Sequence, residues 1–360
     1  MAPVKMKAAV YRGPNKLDIE EVPVPEPGPG ELVLQVQACG LCGTDLKKIT
    51  HGDLPPPRVF GHEVAGRVSA VGGGVADWRP GDRAVFFHHI PCRSCDLCSQ
   101  KDYAQCPQYL RVGTTAGFEP AGGGFAEFVK VSDWIVRDGL VKIPEGVSDE
   151  EATFVEPVNT CLKGIRKAGI QPGFSVLILG SGPVGLTLLQ LAKLAGGKVY
   201  VADPIPERLQ AAKKLGAADI FTISDKLQVQ EWLRQGPAPR GADVALVAAA
   251  STQAIQSALY ATRPAGRVVL FAQTRAGDMA SLDVGQIGKL EKELIGSYSA
   301  DIDLQEEAAR LVFTRSVQVA PLISHRFPLE RIDEALAVAM HPSAQSLKVL
   351  IKPETNGQLR

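Results

Sequence analysis

The sequence predicts an α/β chain of two parts: a β-rich part, and a doubly wound parallel sheet set into it. Three observations lead there. Residues 1–152 hold short β-type runs between Gly- and Pro-rich turns. Residues 153–298 alternate strand and helix patterns. A last apolar strand near the end of the chain needs a sheet to join, and the β-rich first part is the natural host.

In the first part the runs are 32–36, 64–71, 83–87 and 125–131. Turn signals separate them: Pro27-Gly28-Pro29-Gly30, Gly72-Gly73-Gly74 and Pro80-Gly81-Asp82. The expected arrangement is irregular and mostly antiparallel. In the second part, strand runs at 175–179, 198–202, 218–221, 243–247 and 267–271 are separated by helical stretches at 184–195, 206–215 and 252–262. Strand–helix alternation at that spacing predicts a parallel sheet with helices on both faces. Residues 299–360 add two helical runs, 304–313 and 332–340, and the strand 347–351. A chain of 360 residues is also longer than one core usually supports, about 250–300 residues.

Lys+Arg and Asp+Glu both number 39, so the formal net charge is zero, and hydrophobic residues make up 45%. A neutral balance argues against nucleic acid or an anionic membrane as partner, since both recruit a basic excess. The first residues carry no apolar core of signal-peptide length, and the longest uncharged apolar stretch, 244–250, is too short to cross a bilayer. The expectation is a cytoplasmic protein.

The strand ending at Leu179 is followed by Gly180-Ser181-Gly182-Pro183-Val184-Gly185, a G-x-G-x-x-G turn. The first glycine permits the tight turn, the second lets a pyrophosphate approach the backbone, and the third brings helix and sheet together. Free N–H groups at the helix start favour the anion, and Pro183 suits the first turn because it has no N–H to leave unpaired. The next strand ends at Asp203, 23 residues after Gly180. A carboxylate there accepts hydrogen bonds from the adenosine ribose and repels a 2′-phosphate, so NAD is expected rather than NADP. Arg208, one turn further on, would soften that preference, although a solvated helix residue beside Glu207 is the plainer reading.

Seven cysteines include four, Cys92, Cys95, Cys98 and Cys106, within 15 residues. That spacing suits one closed, structural tetrahedral zinc site better than disulfides in a large intracellular chain. A second set is dispersed: Cys39-Gly40-Leu41-Cys42-Gly43-Thr44-Asp45, then Gly61-His62-Glu63. Cys, His and Glu are zinc ligand types, and three protein ligands with an exchangeable fourth position make a catalytic site.

Together with Gly123-Gly124-Phe125-Ala126-Glu127-Phe128 and Glu156-Pro157, these motifs follow one another as in the zinc-dependent medium-chain dehydrogenases, the alcohol, sorbitol and threonine dehydrogenase group. The chain resembles that family over nearly its whole length. The resemblance implies a GroES-like catalytic domain formed by both chain ends, 1–152 and 299–360, around an inserted Rossmann domain, 153–298, with NAD between them. It makes Cys42 rather than Cys39 the thiolate ligand and His62 the second. Glu63 and Glu156 bind the metal directly or through water, with Cys161 a rival to Glu156 on chemistry alone. Thr44 would relay the substrate proton, and Asp45 would hydrogen-bond the ligating His62. Two zinc ions per chain follow, one catalytic and one structural.

At the position where many relatives carry a proton-passing histidine, this chain has Lys47, and His51 does not match the motif. His88-His89 and Phe118 lie in loops that could border a substrate, with surface or packing roles the plainer expectation. The implied substrate is a small alcohol or ketone, above all a secondary alcohol such as a polyol or sugar alcohol. L-Threonine or a simple alcohol is the alternative within the family. Outside that activity stand a zinc-free reductase and a non-catalytic NAD-binding protein. The resemblance also implies a homodimer or homotetramer, joined near 294–298.

Overall fold

The computed structural model describes residues 4–52, 54–109, 123–224, 228–275 and 277–354; Phe118 lies outside them. The chain divides into two compact units. Residues up to Asn159 and from Ala300 onward make one, and Thr160–Ser299 make the other. The division falls within the helix Val155–Ala168.

The first unit is built on a seven-stranded sheet. Its order is Ile323–Pro328, Lys348–Lys352, Leu32–Gly40, Glu63–Val71, Arg83–Phe86 and Leu140–Lys142, with Phe128–Val131 also paired to Leu32–Gly40. Leu32–Gly40 is buried along most of its length and contacts three neighbours, so it is the spine of this unit. The strand expected at the end of the chain joins it antiparallel, Leu350 opposite Gly40 and Ile351 opposite Cys39. A smaller sheet comprises the hairpin Lys5–Gly13 and Lys16–Pro23 with Arg58–Val59.

Ion pairs fasten the late segment onto the early one. Arg315 Nε donates to Glu151 Oε1 at 2.8 Å, while Arg326 and Lys352 both reach Glu150. Glu151 also closes a capping box with Ser148 at the start of Asp149–Ala152. The Arg315 hydrogen bond outweighs the upward push of burial, and the Glu151 carboxyl falls to about 2. A carboxyl held below its unfolded value near 4.5 gives stability that is complete above that value and disappears as pH falls toward about 2. Because Arg315 is largely exposed, the contribution is discounted to about 1–2 kcal/mol. Glu151→Gln keeps the capping box but not the charge. Its urea midpoint, compared with the parent's at each pH, should show a gap at pH 7 that closes between pH 4.5 and 2. A constant gap would rule the ion pair out as the cause.

In the second unit six parallel strands run in the order Asp219–Thr222, Lys198–Asp203, Ser175–Leu179, Ala242–Val247, Thr262–Leu270 and Glu293–Gly296. Counted along the chain that order is 3-2-1-4-5-6, which reverses direction between Ser175–Leu179 and Ala242–Val247. The carboxyl ends of strands at such a point are where doubly wound sheets take ligands. The two strands there are buried almost throughout, in keeping with their unbroken apolar runs. The expected helices appear as Pro183–Leu194, Pro206–Lys214 and Thr252–Ala261. The strand expected at 267–271 begins earlier, at Thr262, and is irregular where it meets Ala242–Val244.

Among the described residues, no helix is long and apolar enough to cross a membrane.

Candidate active site and metal centres

The helix Gly43–His51 starts at Cys42, whose extended backbone forms the cap. Cys42 Sγ accepts from the Thr44 N–H at 3.5 Å, and Asp45 Oδ2 accepts from the Cys42 N–H at 3.1 Å. The free amides of the helix start thus face the Cys42 sulfur. Asp45 is fully buried, and its Oδ1 lies 3.0 Å from Nδ1 of His62. That contact fixes the imidazole and leaves Nε2 for another partner. Burial alone would push His62 down, but Asp45 and Cys42 pull its pKa well above the ordinary 6.5, a sign that the pocket favours positive charge.

Glu63 opens the strand Glu63–Val71, directly after His62, and is 1% exposed. One donor atom each from Cys42, His62 and Glu63 lie within 4.8 Å of one another. A soft thiolate, an imidazole held by a carboxylate and a second carboxylate form a donor set that fits zinc. Thr44 is exposed beside the cap. Cys39, the other cysteine of this motif, is buried on the neighbouring strand, and burial, its largest influence, raises its thiol well above the usual range. That is the behaviour of a packed thiol rather than a ligand.

Glu156 stands apart from the three-donor group. It begins the helix Val155–Ala168, buried, with Oε1 3.8 Å from Nε2 of His89. His89 stacks on Tyr109 and lies tilted against His88, whose ring centroid is 5.3 Å from that of His62. Both histidines are buried, so a surface role is excluded and they form a polar aromatic wall beside His62. Cys161, the rival of Glu156, is buried with its Sγ 3.9 Å from the Val184 carbonyl.

The four clustered cysteines form a second centre. Sγ atoms of Cys95 and Cys98 lie 3.5 Å apart, Cys92 and Cys106 3.6 Å, and Cys92 and Cys98 3.9 Å. None of the four forms a disulfide. A tetrahedron with Zn–S arms of 2.3 Å has edges of about 3.8 Å, so this spacing fits a four-thiolate zinc site.

In the second unit the glycine-rich turn does what its sequence requires. Gly180 has φ +106°. A Cβ on Gly185 would fall 1.9 Å from the Gly180 carbonyl, whereas one on Gly182 would meet nothing within 4 Å. Gly182 caps the helix, with Pro183 and Val184 in its first turn. The third glycine is thus a packing requirement, and the second faces open space where a pyrophosphate fits. Asp203 ends its strand almost fully buried. Its Oδ2 accepts from the Ser181 N–H at 2.6 Å and its Oδ1 from the Ile205 N–H at 2.8 Å. The acid expected to face ribose therefore also holds the glycine-rich turn in place, a tie that sequence spacing does not reveal. Arg208 lies in the first turns of Pro206–Lys214, half-buried.

One residue of the site escaped the sequence reading. Lys348, on the last strand, is buried with Nζ donating to Glu63 Oε1 at 2.6 Å. The two are 285 positions apart, and a lysine opening an apolar strand looks like any solvated strand end, so no local signal marks it.

Comparison with known proteins agrees with this geometry. Residues 28–145 match the alcohol dehydrogenase GroES-like domain, and residues 183–314 match the zinc-binding dehydrogenase domain. The sorbitol dehydrogenase of Bacillus subtilis is 31% identical over 357 residues, covering 98% of each chain. A zinc-binding dehydrogenase of Sinorhizobium meliloti, solved with NADP, superposes with a TM-score of 0.87 at 30% identity, covering 97% of this chain and 100% of its own. Galactitol-1-phosphate dehydrogenase of Escherichia coli gives 0.84 at 29% identity, with the same coverage. The chain therefore belongs to the zinc-dependent medium-chain dehydrogenases and is an oxidoreductase of alcohols or polyols that uses zinc and a nicotinamide dinucleotide.

Proposed function

We propose that the protein oxidises the secondary hydroxyl of a polyol or sugar alcohol to a ketone, with NAD as hydride acceptor. The observation that carries this is the convergence of Cys42, His62 and Glu63 at the start of a helix whose first turn presents the Thr44 hydroxyl. The names of its relatives, sorbitol and galactitol-1-phosphate dehydrogenase, support the substrate class.

Cys42, His62 and Glu63 would hold the catalytic zinc, with Glu156 near them behind His89. The metal supplies Lewis acidity, which brings the pKa of an alcohol toward neutrality. Asp45 keeps the His62 ring in one orientation, and the Thr44 hydroxyl would accept the substrate proton at Oγ1 while passing its own hydrogen onward toward solvent. Lys47 occupies the place from which the proton would pass outward. A nicotinamide held by the second unit would supply the hydride acceptor. Gly180, Gly182, Pro183, Val184 and Gly185 would receive its pyrophosphate. Asp203 favours a free ribose 2′-hydroxyl, and its carboxylate opposes the phosphate that NADP would place there. Arg208 would lie along the ribose edge.

Residues 1–152 with 299–360 would then carry catalysis and 153–298 the cofactor. Cys92, Cys95, Cys98 and Cys106 would hold the structural zinc. The protein would act in the cytoplasm as a homodimer or homotetramer joined at 294–298, because Glu293–Gly296 is an edge strand. Light scattering that returned a monomer mass would reject that assembly.

The test of the activity is initial-rate NADH formation across polyols, sugars, threonine and short primary and secondary alcohols, with NAD and with NADP, before and after chelation. Chelator-sensitive turnover confined to polyols and at least tenfold faster with NAD is the expected result. Preference for threonine or a primary alcohol would replace the substrate class. Preference for NADP would overturn the role given to Asp203.

A further inference from the structure

Lys348 is a buried cation in the metal pocket. It is 7% exposed, its Nζ lies against both carboxylate oxygens of Glu63, and the Phe154 ring sits 5.9 Å away. Two features of the fold keep this pair in place. The strand Lys348–Lys352 is locked antiparallel to Leu32–Gly40. Gly40 on that strand leaves the room the pair occupies: a Cβ there would fall 1.9 Å from Glu63 Oε2 and 3.0 Å from Lys348 Cε.

A buried carboxylate requires a compensating cation, and removing one member of a buried pair leaves the other uncompensated. Glu63 has two candidates within reach: the lysine, and a metal held by Cys42 and His62. We propose that Lys348 is a positioning residue that competes with the catalytic zinc for the Glu63 carboxylate, holding Glu63 to one oxygen on the metal and so keeping a coordination position open for substrate. Sharing Glu63 with Lys348 also leaves less anionic charge on the metal, which preserves its Lewis acidity. The inference rests on the assignment of Cys42, His62 and Glu63 as metal ligands.

Coordination can be read without turnover. Cobalt(II) placed in the catalytic site gives visible d–d bands that are strong in four-coordinate geometry and weaken as a fifth ligand binds. In Lys348→Met the lysine no longer competes with the metal for Glu63. The bands should weaken, and zinc loss to a chelator should slow by about tenfold, the size expected for altering a partner of a metal ligand. Lys348→Arg should restore the parent spectrum and rate. If Lys348→Met does not fold, the pair Glu63→Gln and Glu63→Gln/Lys348→Met serves instead. With the carboxylate neutralised the lysine no longer competes for it, so those two spectra should coincide.

Unchanged bands and chelator rates in a folded Lys348→Met would overturn the proposal and leave a purely structural ion pair. A difference between the two Glu63→Gln proteins would overturn it equally. A parent chain holding one zinc rather than two would instead remove the catalytic metal site, and the lysine's role with it.

Discussion

Cys42→Ala should lower the zinc content from two per chain to one and cut turnover by about a thousandfold or more, with thermal stability lowered only by the lost helix cap, about 1 kcal/mol. Cys42 is half-exposed at the start of Gly43–His51, so its loss opens no core cavity. Asp45 still accepts from the residue-42 amide and still holds His62, because both contacts use atoms that the substitution leaves in place. What is lost is the soft ligand. Without it the site keeps His62 and Glu63, and Glu63 is already paired with Lys348. Metal stabilisation of developing charge contributes several kcal/mol, so turnover should fall by about a thousandfold or more. Metal analysis, NADH formation and a melting curve on one preparation check all three parts. Full activity with one zinc would show that Cys42 is not a ligand.

Cys106→Ser should give the complementary pattern: one zinc lost, and a melting temperature lower by about 10 °C. Among the described residues the cysteine lobe has little to hold it besides metal. These include short turns at Asp96–Ser99 and Tyr103–Gln105. The buried apolar cluster among them is Cys98, Ala104, Cys106 and Tyr109, with Tyr103 and the other two cysteines packed against it. A core that small cannot offset the entropy of ordering the lobe, so metal binding and local folding are one event. Tyr109 extends the consequence: its hydroxyl donates to the Ala300 carbonyl at 3.0 Å and its ring stacks on His89. Loss of the lobe should therefore loosen the wall beside His62 and raise KM more than the zinc count alone would suggest. Differential scanning calorimetry with metal analysis decides it. A protein that loses this zinc yet melts unchanged would show that the lobe is held by packing.

Much of the molecule was legible because its signals are local. The alternation of apolar strands with amphipathic helices marked the parallel sheet, since burial on both faces requires unbroken runs such as 176–179 and 244–247. The glycine-rich turn and the C-x-x-C-x-x-C cluster were readable because the residues of each share one short loop. The three-donor group was readable in part: Cys42 and Asp45 are adjacent in one helix turn, and His62 and Glu63 are neighbours. The resemblance to known motifs was needed to bring the two halves together and to prefer Cys42 over Cys39. The hairpin Lys5–Gly13 and Lys16–Pro23, the helix Val155–Ala168 and the strand Ile323–Pro328 were not picked out.

Periodicity and residues a few positions apart therefore carry the elements and the candidate ligand types, because each of these signals is local. The charge environment of the site depends instead on pairing between distant segments. The tertiary structure placed Lys348 on Glu63 across 285 positions, set His89 between Glu156 and Tyr109, and turned Asp203 toward the Ser181 and Ile205 amides. Strand pairing and burial choose such partners, and neither leaves a trace in local spacing.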